Sequence, residues 1–283
     1  RSLPLLSATE RNPMLTTTYG TGELILHAIE HGYREFIIGI GGSATNDAGL
    51  GMLQALGFRF YDQNGEILGK GGQILDQIVA IDFSSVHPAL KDARFTIACD
   101  VRNPFSGPEG AAYVFARQKG ADGAMIEKLD AGMKRFSRLI HSTTGREITE
   151  VAGAGAAGGL GGAFLAFLNA ELKPGIELLL RTLKFDEKIK DADLIITGEG
   201  RVDRQSVMGK VPFGILEEAN KQGIPVIVVA GSIADTEVLN KAGFRGIFSI
   251  VPSPMSLEVA MKPEAAKNNI SRTVAQIISL ATL

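Results

Sequence analysis

The residues best suited to chemistry in this 283-residue sequence fall in four glycine-rich segments. The first reads Gly39-Ile40-Gly41-Gly42-Ser43-Ala44-Thr45-Asn46-Asp47, between a short apolar run and a helical pattern. Successive backbone N–H groups, a helix N-terminus and two hydroxyls can converge there on an anion. The glycine spacing and the lack of a lysine separate it from a Walker loop and from a dinucleotide fingerprint. The same residues also suit a tight strand-to-helix turn with Thr45 or Asn46 as N-cap. The second segment, Thr197-Gly198-Glu199-Gly200-Arg201-Val202-Asp203-Arg204-Gln205-Ser206, with Gly209-Lys210 soon after, places two carboxylates beside two arginines and a lysine. Carboxylates hold Mg²⁺, and guanidinium and ammonium groups neutralise phosphate oxygens. A solvated polar loop is the plainer reading.

The third segment is Cys99-Asp100-Val101-Arg102-Asn103-Pro104-Phe105-Ser106-Gly107-Pro108-Glu109-Gly110. An aspartate just past an apolar strand can act as general base for a hydroxyl or as a metal ligand. It can equally form an Asx-turn ahead of the Asn-Pro bend. Cys99 reads as a small buried core residue. The fourth segment, Gly153 to Gly162, carries no charge and suits either N–H donation to an anion or a close-packed hinge. His27 and His31, four apart on an expected helix, read as surface or capping residues because no carboxylate pattern accompanies them.

These segments need elements to hold them. Apolar runs at Phe36–Ile40, Arg94–Cys99, Asp193–Thr197, Pro225–Ala230 and Arg245–Val251 predict buried strands. Helical patterns cover Asn46–Leu56, Ala124–Ser142, Gly159–Asn169, Pro174–Leu183, Pro212–Gln222 and Pro263–Leu283, three of them opening with a proline that a first helical turn tolerates. Asp62-Gln63-Asn64-Gly65 predicts a hairpin turn between Phe58–Tyr61 and Ile67–Leu68. From Asp193 onward strand and helix alternate as in βαβ units, so the expected class is α/β with a parallel sheet. A domain boundary is expected near Lys188, giving domains 1–188 and 189–283. The formal net charge of −2 advertises neither nucleic acid nor membrane as a partner. A single cysteine fits a reducing, cytoplasmic setting, and no apolar stretch is long enough to span a bilayer.

Taken in order, the GIGGSATND, CDVRNPFSGPEGA, GAGAAGG and TGEGRVDRQS–GK segments resemble the bacterial type I glycerate kinases, as do Arg11-Asn12-Pro13 and Tyr19-Gly20-Thr21-Gly22-Glu23. The resemblance runs from about Ser7 to the C-terminus. It implies a kinase that uses ATP and Mg²⁺ to phosphorylate D-glycerate, with 2-phosphoglycerate the favoured product. It also implies a Rossmann-like domain, whose C-terminal half is the 189–283 region, with a second α/β domain inserted and the site in the cleft between them. Ala48 stands where the family usually has the first glycine of TNDGG, and Ala116-Arg117-Gln118-Lys119-Gly120 replaces its GPQKG. The family's usual opening strand, with Asp-Ser-Phe-Lys and Asp-Gly-Gly-Glu-Gly loops, is expected to be missing, and a truncated, non-catalytic nucleotide- or ligand-binding module is the alternative function. On the kinase reading Asp100 and Lys210 are catalytic. Ser43, Thr45, Asn46, Asp47, Asn103 and Arg201 bind substrate; Gly41, Gly42, Gly198 and Gly200 bind the nucleotide; Glu199 and Asp203 hold the metal. Self-association into a homo-oligomer is left open.

Overall fold

The computed structural model describes residues 2–207 and 209–281 and divides into two compact units, Arg1–Gly175 and Ile176–Leu283. Both are α/β, the expected class.

In the first unit the strands are β1 (Glu35–Gly39), β2 (Arg59–Tyr61), β3 (Ala80–Asp82), β4 (Arg94–Ala98) and β5 (Glu171–Lys173). A parallel sheet has the order β1-β4-β5, and Gly39 lies opposite Ala98 in its register. The chains leaving β1 and β4, which carry the first and third glycine-rich segments, therefore emerge side by side at the carboxyl ends of the strands. That is where open α/β sheets collect their ligands. Strands β2 and β3 form an antiparallel pair. The expected turn at Asp62 exists, held by Asn64 N and Glu66 N donating to Asp62 Oδ1 at 2.8 and 2.9 Å. The strand Arg59–Tyr61, however, takes β3 as its ladder partner and meets Ile67 only at a single bridge.

The core of this unit forms around the helix Gly123–Thr144, whose Ile126, Leu129, Met133, Phe136 and Ile140 recur at helical spacing and are all buried. Asp122 caps its start by accepting from Met125 N at 2.8 Å, and Gly145, at φ +72°, ends it. Phe60, Phe105 and Phe164 pack into the same core.

In the second unit β6 (Ile195–Val202), β7 (Val226–Ile233) and β8 (Gly246–Ser249) form a parallel sheet in that order, with helices Val211–Lys221, Thr236–Ala242 and Pro263–Ala281. The last two residues of the helix expected over Pro263–Leu283 lie outside the described residues. The division at Gly175 falls ahead of the expected boundary near Lys188 because Ile176, at the head of the helix Gly175–Thr182, fills the space left by Gly214 of the second unit. Among the described residues, no helix is long and apolar enough to cross a membrane.

Candidate active site

Asp100 stands just beyond the end of β4, exposed, on the wall of a cavity of about 380 Å³. Gly41, Gly42 and Ser43, just beyond β1, form an adjacent wall. Asp100 Oδ1 accepts from Gly175 N at 2.8 Å. Oδ2 has no partner among the described residues and is available to a ligand. Added Cβ atoms at Gly41 and Gly42 would meet open space, and Gly42 has φ +69°. These glycines therefore leave bare backbone beside the cavity. The same Ile40–Ser43 stretch also borders a second cavity of about 380 Å³, with Thr17, Thr18, Thr21 and Thr45 in its wall. Cys99, expected in the core, is instead half-buried in the wall of the Asp100 cavity, its Sγ donating to Val101 O at 3.2 Å. Burial pushes its thiol pKa up from 9.0.

Lys119 is the residue that sequence reasoning passed over. It lines the Asp100 cavity and is only 2 % exposed. Its Nζ donates to Ser43 Oγ at 3.0 Å and to Thr45 O at 2.7 Å. Burial pushes its pKa down from 10.5 to about 8, against the opposing pull of the Asp47 carboxylate. Nothing in Ala116-Arg117-Gln118-Lys119-Gly120-Ala121 set it apart in sequence; the fold buries Ala116 and Ala121 on either side of it. Lysine in such surroundings is seldom retained without a partner or a task.

The other half of the first segment faces inward, which corrects several expectations. The helix expected from Asn46 begins at Leu50, because Ala48 and Gly49 adopt left-handed backbone at φ +52° and +77°. Neither Thr45 nor Asn46 caps it; the N-cap is Gly49. Asp47, expected to bind substrate, is fully buried. Its Oδ2 accepts from Thr18 N at 2.7 Å, Thr18 Oγ1 at 3.0 Å and Gly51 N at 3.3 Å, and its Oδ1 from Gly49 N at 3.1 Å. Burial raises its pKa against these donors. Asn46 is also fully buried, its Nδ2 donating to Met133 Sδ at 3.3 Å. Asn103 Nδ2 donates to Glu109 O of its own loop at 2.8 Å, and its carbonyl accepts from Gly155 N of the fourth segment. Thr45 is buried but borders the second cavity. Of the expected site residues, the structure thus brings Asp100 and Ser43 onto one cavity with Gly41 and Gly42, which were expected at the nucleotide. Both carboxylate oxygens of Asp47 are taken up by the protein, and Asn46 and Asn103 each commit their Nδ2 to it.

The uncharged fourth segment packs closely against the others, and its Ala156 and Ala157 border the Asp100 cavity. Gly158, at φ +71°, lies against Thr45 O, and its own carbonyl accepts from Ala48 N at 2.9 Å. Gly155 lies against Pro104 O. The run therefore braces the first and third segments from behind, at distances no side chain would permit.

In the second unit, the segment expected as a loop is largely strand: β6 continues through Val202, paired with β7 as far as Val202 opposite Ile233. The sequence Gly-Glu-Gly offers little β-propensity, and the neighbouring strand supplies the ladder that fixes it. Gly198, Glu199, Gly200 and Arg201 border a cavity of about 990 Å³, whose far side is apolar with Ile250, Val251, Leu257 and Met261. Glu199 Oε1 faces Lys210 Nζ at 3.7 Å, and Asp203 Oδ2 accepts from Arg201 Nε at 3.1 Å. Arg204 is committed elsewhere, gripping Asp235 through Nε and Nη2 at 3.2 and 2.9 Å. Among the described residues no three acidic, His or Cys side chains cluster as a metal cage. His31 Nδ1 lies 2.8 Å from His27 O, a capping contact at the helix end.

The Glycerate kinase family is matched over residues 2–282. A glycerate kinase of Halalkalibacterium halodurans is 46 % identical over 275 residues, 95 % of this chain and 72 % of the relative. The glycerate 2-kinase of Escherichia coli K12 is 47 % identical over 271 residues, 95 % of this chain and 71 % of the relative. A crystal structure from Salmonella typhimurium LT2, whose protein carries a provisional glycerate kinase 2 name, superposes with a TM-score of 0.83 at 41 % identity, covering 99 % of this chain and 74 % of that one. These matches run across 95 % or more of this chain and across 71–74 % of each relative.

Proposed function

Since the chain belongs to the glycerate kinase family, we propose that it transfers a phosphoryl group from ATP to D-glycerate. The observation that carries the acceptor half is Asp100, with one carboxylate oxygen held by Gly175 N and the other unpartnered, on one cavity with the bare backbone of Gly41 and Gly42. Phosphoryl transfer asks the protein mainly to position groups and neutralise charge. Asp100 Oδ2 orients the attacking hydroxyl and takes its proton, while the bond to Gly175 keeps the carboxylate from rotating away. Ser43 Oγ and the neighbouring backbone hold the acid.

The second unit is read as the nucleotide-holding part. The apolar side of its 990 Å³ cavity suits a purine ring, while Gly198 and Gly200 leave backbone open beside Arg201, a phosphate partner. Mg²⁺ typically reaches such sites on the nucleotide's phosphates, with one or two protein carboxylates. Glu199 and Asp203 would hold it, and it would supply charge neutralisation on the phosphates. Lys210, beside Glu199, then serves the transferred group. The name of the Escherichia coli relative favours the 2-hydroxyl as acceptor.

The test is ADP release from ATP dependent on D-glycerate, in the wild type and in Asp100→Asn. Asparagine keeps an oxygen for Gly175 N and loses the charge. The expected loss in kcat is about 10²–10⁴-fold, with an unchanged melting temperature. Turnover within a few-fold of wild type would return Asp100 to a turn-forming role.

A further inference from the structure

Lys119 is a buried cation with no ion pair among the described residues. No carboxylate of the described residues lies within 4 Å of it, and its two hydrogen-bond acceptors, Ser43 Oγ and Thr45 O, are neutral. An ammonium has three N–H donors, so one remains unspent in a group that lines the cavity. Removing an ammonium from water without a counter-charge in contact is costly, and the shift of its pKa to about 8, despite the more distant Asp47 carboxylate, reflects that cost. An arriving anion would offset it.

The surrounding charges also decide which end of a hydroxy acid goes where. Asp100, on the same cavity, repels a carboxylate and suits a hydroxyl. We propose that Lys119 is the carboxylate-binding group of the acceptor site, holding the acid end of a small hydroxy acid beside Ser43 while the hydroxyl faces Asp100. This rests on the acceptor reading above. It gives the enzyme its selectivity for acids over neutral polyols, because only an acid completes the lysine's pairing.

A pH signature follows from the groups facing Lys119. The Asp47 carboxylate acts on it electrostatically, Asp100 and Cys99 share its cavity, and Arg11 donates to the carbonyl of the adjoining Gln118. A carboxylate bound at Lys119 raises that lysine's affinity for its proton. Binding of D-glycerate at pH 8.5 therefore takes up protons, and the KM for D-glycerate rises above pH 8 while that for ATP does not.

The experiment compares wild type, Lys119→Met and Lys119→Arg. The expected result for K119M is a KM for D-glycerate raised about 10- to 150-fold, the equivalent of one charge-assisted hydrogen bond. The KM for ATP and kcat stay within a few-fold, and K119R recovers part of the loss. An unchanged KM for D-glycerate, or a fall in kcat alone, would overturn the assignment. Because methionine removes two hydrogen bonds from beneath the loop, a second measurement uses wild type only: calorimetric titration with D-glycerate at pH 8.5 in buffers of different ionisation enthalpy. Proton uptake supports the proposal, and a buffer-independent enthalpy refutes it. Wild type that releases no ADP with D-glycerate would instead sink the acceptor reading itself.

Discussion

Asp47 separates scaffold from chemistry within the first glycine-rich segment. Its side chain accepts four hydrogen bonds, three of them from backbone N–H groups and one from the Thr18 hydroxyl, which in turn accepts from Met52 N at 2.9 Å. Asp47→Ala would leave all four donors buried. Four charge-assisted bonds at about 1.5–3 kcal/mol each overstate the loss, because burial of the carboxylate already works against it, as its raised pKa shows. Removing one member of a buried charged network costs about 3–5 kcal/mol. At about 2–4 °C per kcal/mol for a unit of this size, the melting temperature should fall by roughly 6–20 °C. Asp47→Asn should cost less. Its carbonyl can occupy the Oδ2 position and keep the Thr18 and Gly51 donors, leaving only Gly49 N–H opposed by the amide, a loss of about 1–3 kcal/mol. Scanning calorimetry on the three proteins gives the ranking, and kinetics on the folded fraction gives the KM. A melting temperature for D47A within about 2 °C of wild type, joined to a tenfold rise in KM for D-glycerate, would refute this reasoning and restore Asp47 as a substrate ligand.

Arg201→Ala and Lys210→Ala should each weaken ATP use by about 1.5–3 kcal/mol, read as kcat/KM for ATP, with stability changed by no more than about 0.5 kcal/mol; unchanged kcat/KM would remove either from the site. Lys119 makes the fold pH-sensitive. Its folded pKa of about 8 lies below the ordinary 10.5, so the unfolded chain binds more protons between those values and stability rises with pH across that window. The gain should reach about 3 kcal/mol near the top of the window and vanish in K119M, which denaturant melts at pH 7.5 and 10 would show. Gly158→Ala should destabilise by more than about 2 kcal/mol, since its positive φ and its contact with Thr45 O admit no side chain; Gly41→Ala, with open space around it, should leave the melting temperature within about 2 °C while raising the KM for D-glycerate.

The strands were legible because their signal is local. Phe36–Ile40 and Arg94–Cys99 each lie within a residue of β1 and β4, and β-branched and aromatic runs bounded by glycine or polar residues have few other uses. The order of glycine-rich segments was also enough to reach the family. What stayed hidden depends on distant partners. Gly198-Glu199-Gly200 looks like loop until β7 lies alongside it. Asn46 looks like a helix start until the carbonyl of Gly158 captures Ala48 N, more than a hundred residues away, and Ala48 and Gly49 take left-handed backbone. Lys119 looks like one more surface lysine until the fold places it beneath Ser43 and Thr45.

The same composition therefore hides two opposite uses of glycine and of charge. At Gly41 and Gly42 the missing side chains leave space for something else, whereas at Gly155 and Gly158 they let one backbone touch another. Asp47 and Asp100 divide in the same way. Asp47 spends both oxygens on the protein, while Asp100 spends one and keeps one. A polar group that is fully paired inside the protein has nothing left to offer a ligand, and one that is half-paired is held in place with its remaining valence pointed outward. Residue type and spacing cannot tell these apart, because what decides is whether the donors come from the protein. Unspent donors and acceptors on a cavity wall do tell them apart, and Asp100 Oδ2 and the third N–H of Lys119 are among those left to residues lining the Gly41–Ser43 cavity. An acceptor and a donor of opposite charge on one wall suit a molecule with a hydroxyl at one end and a carboxylate at the other.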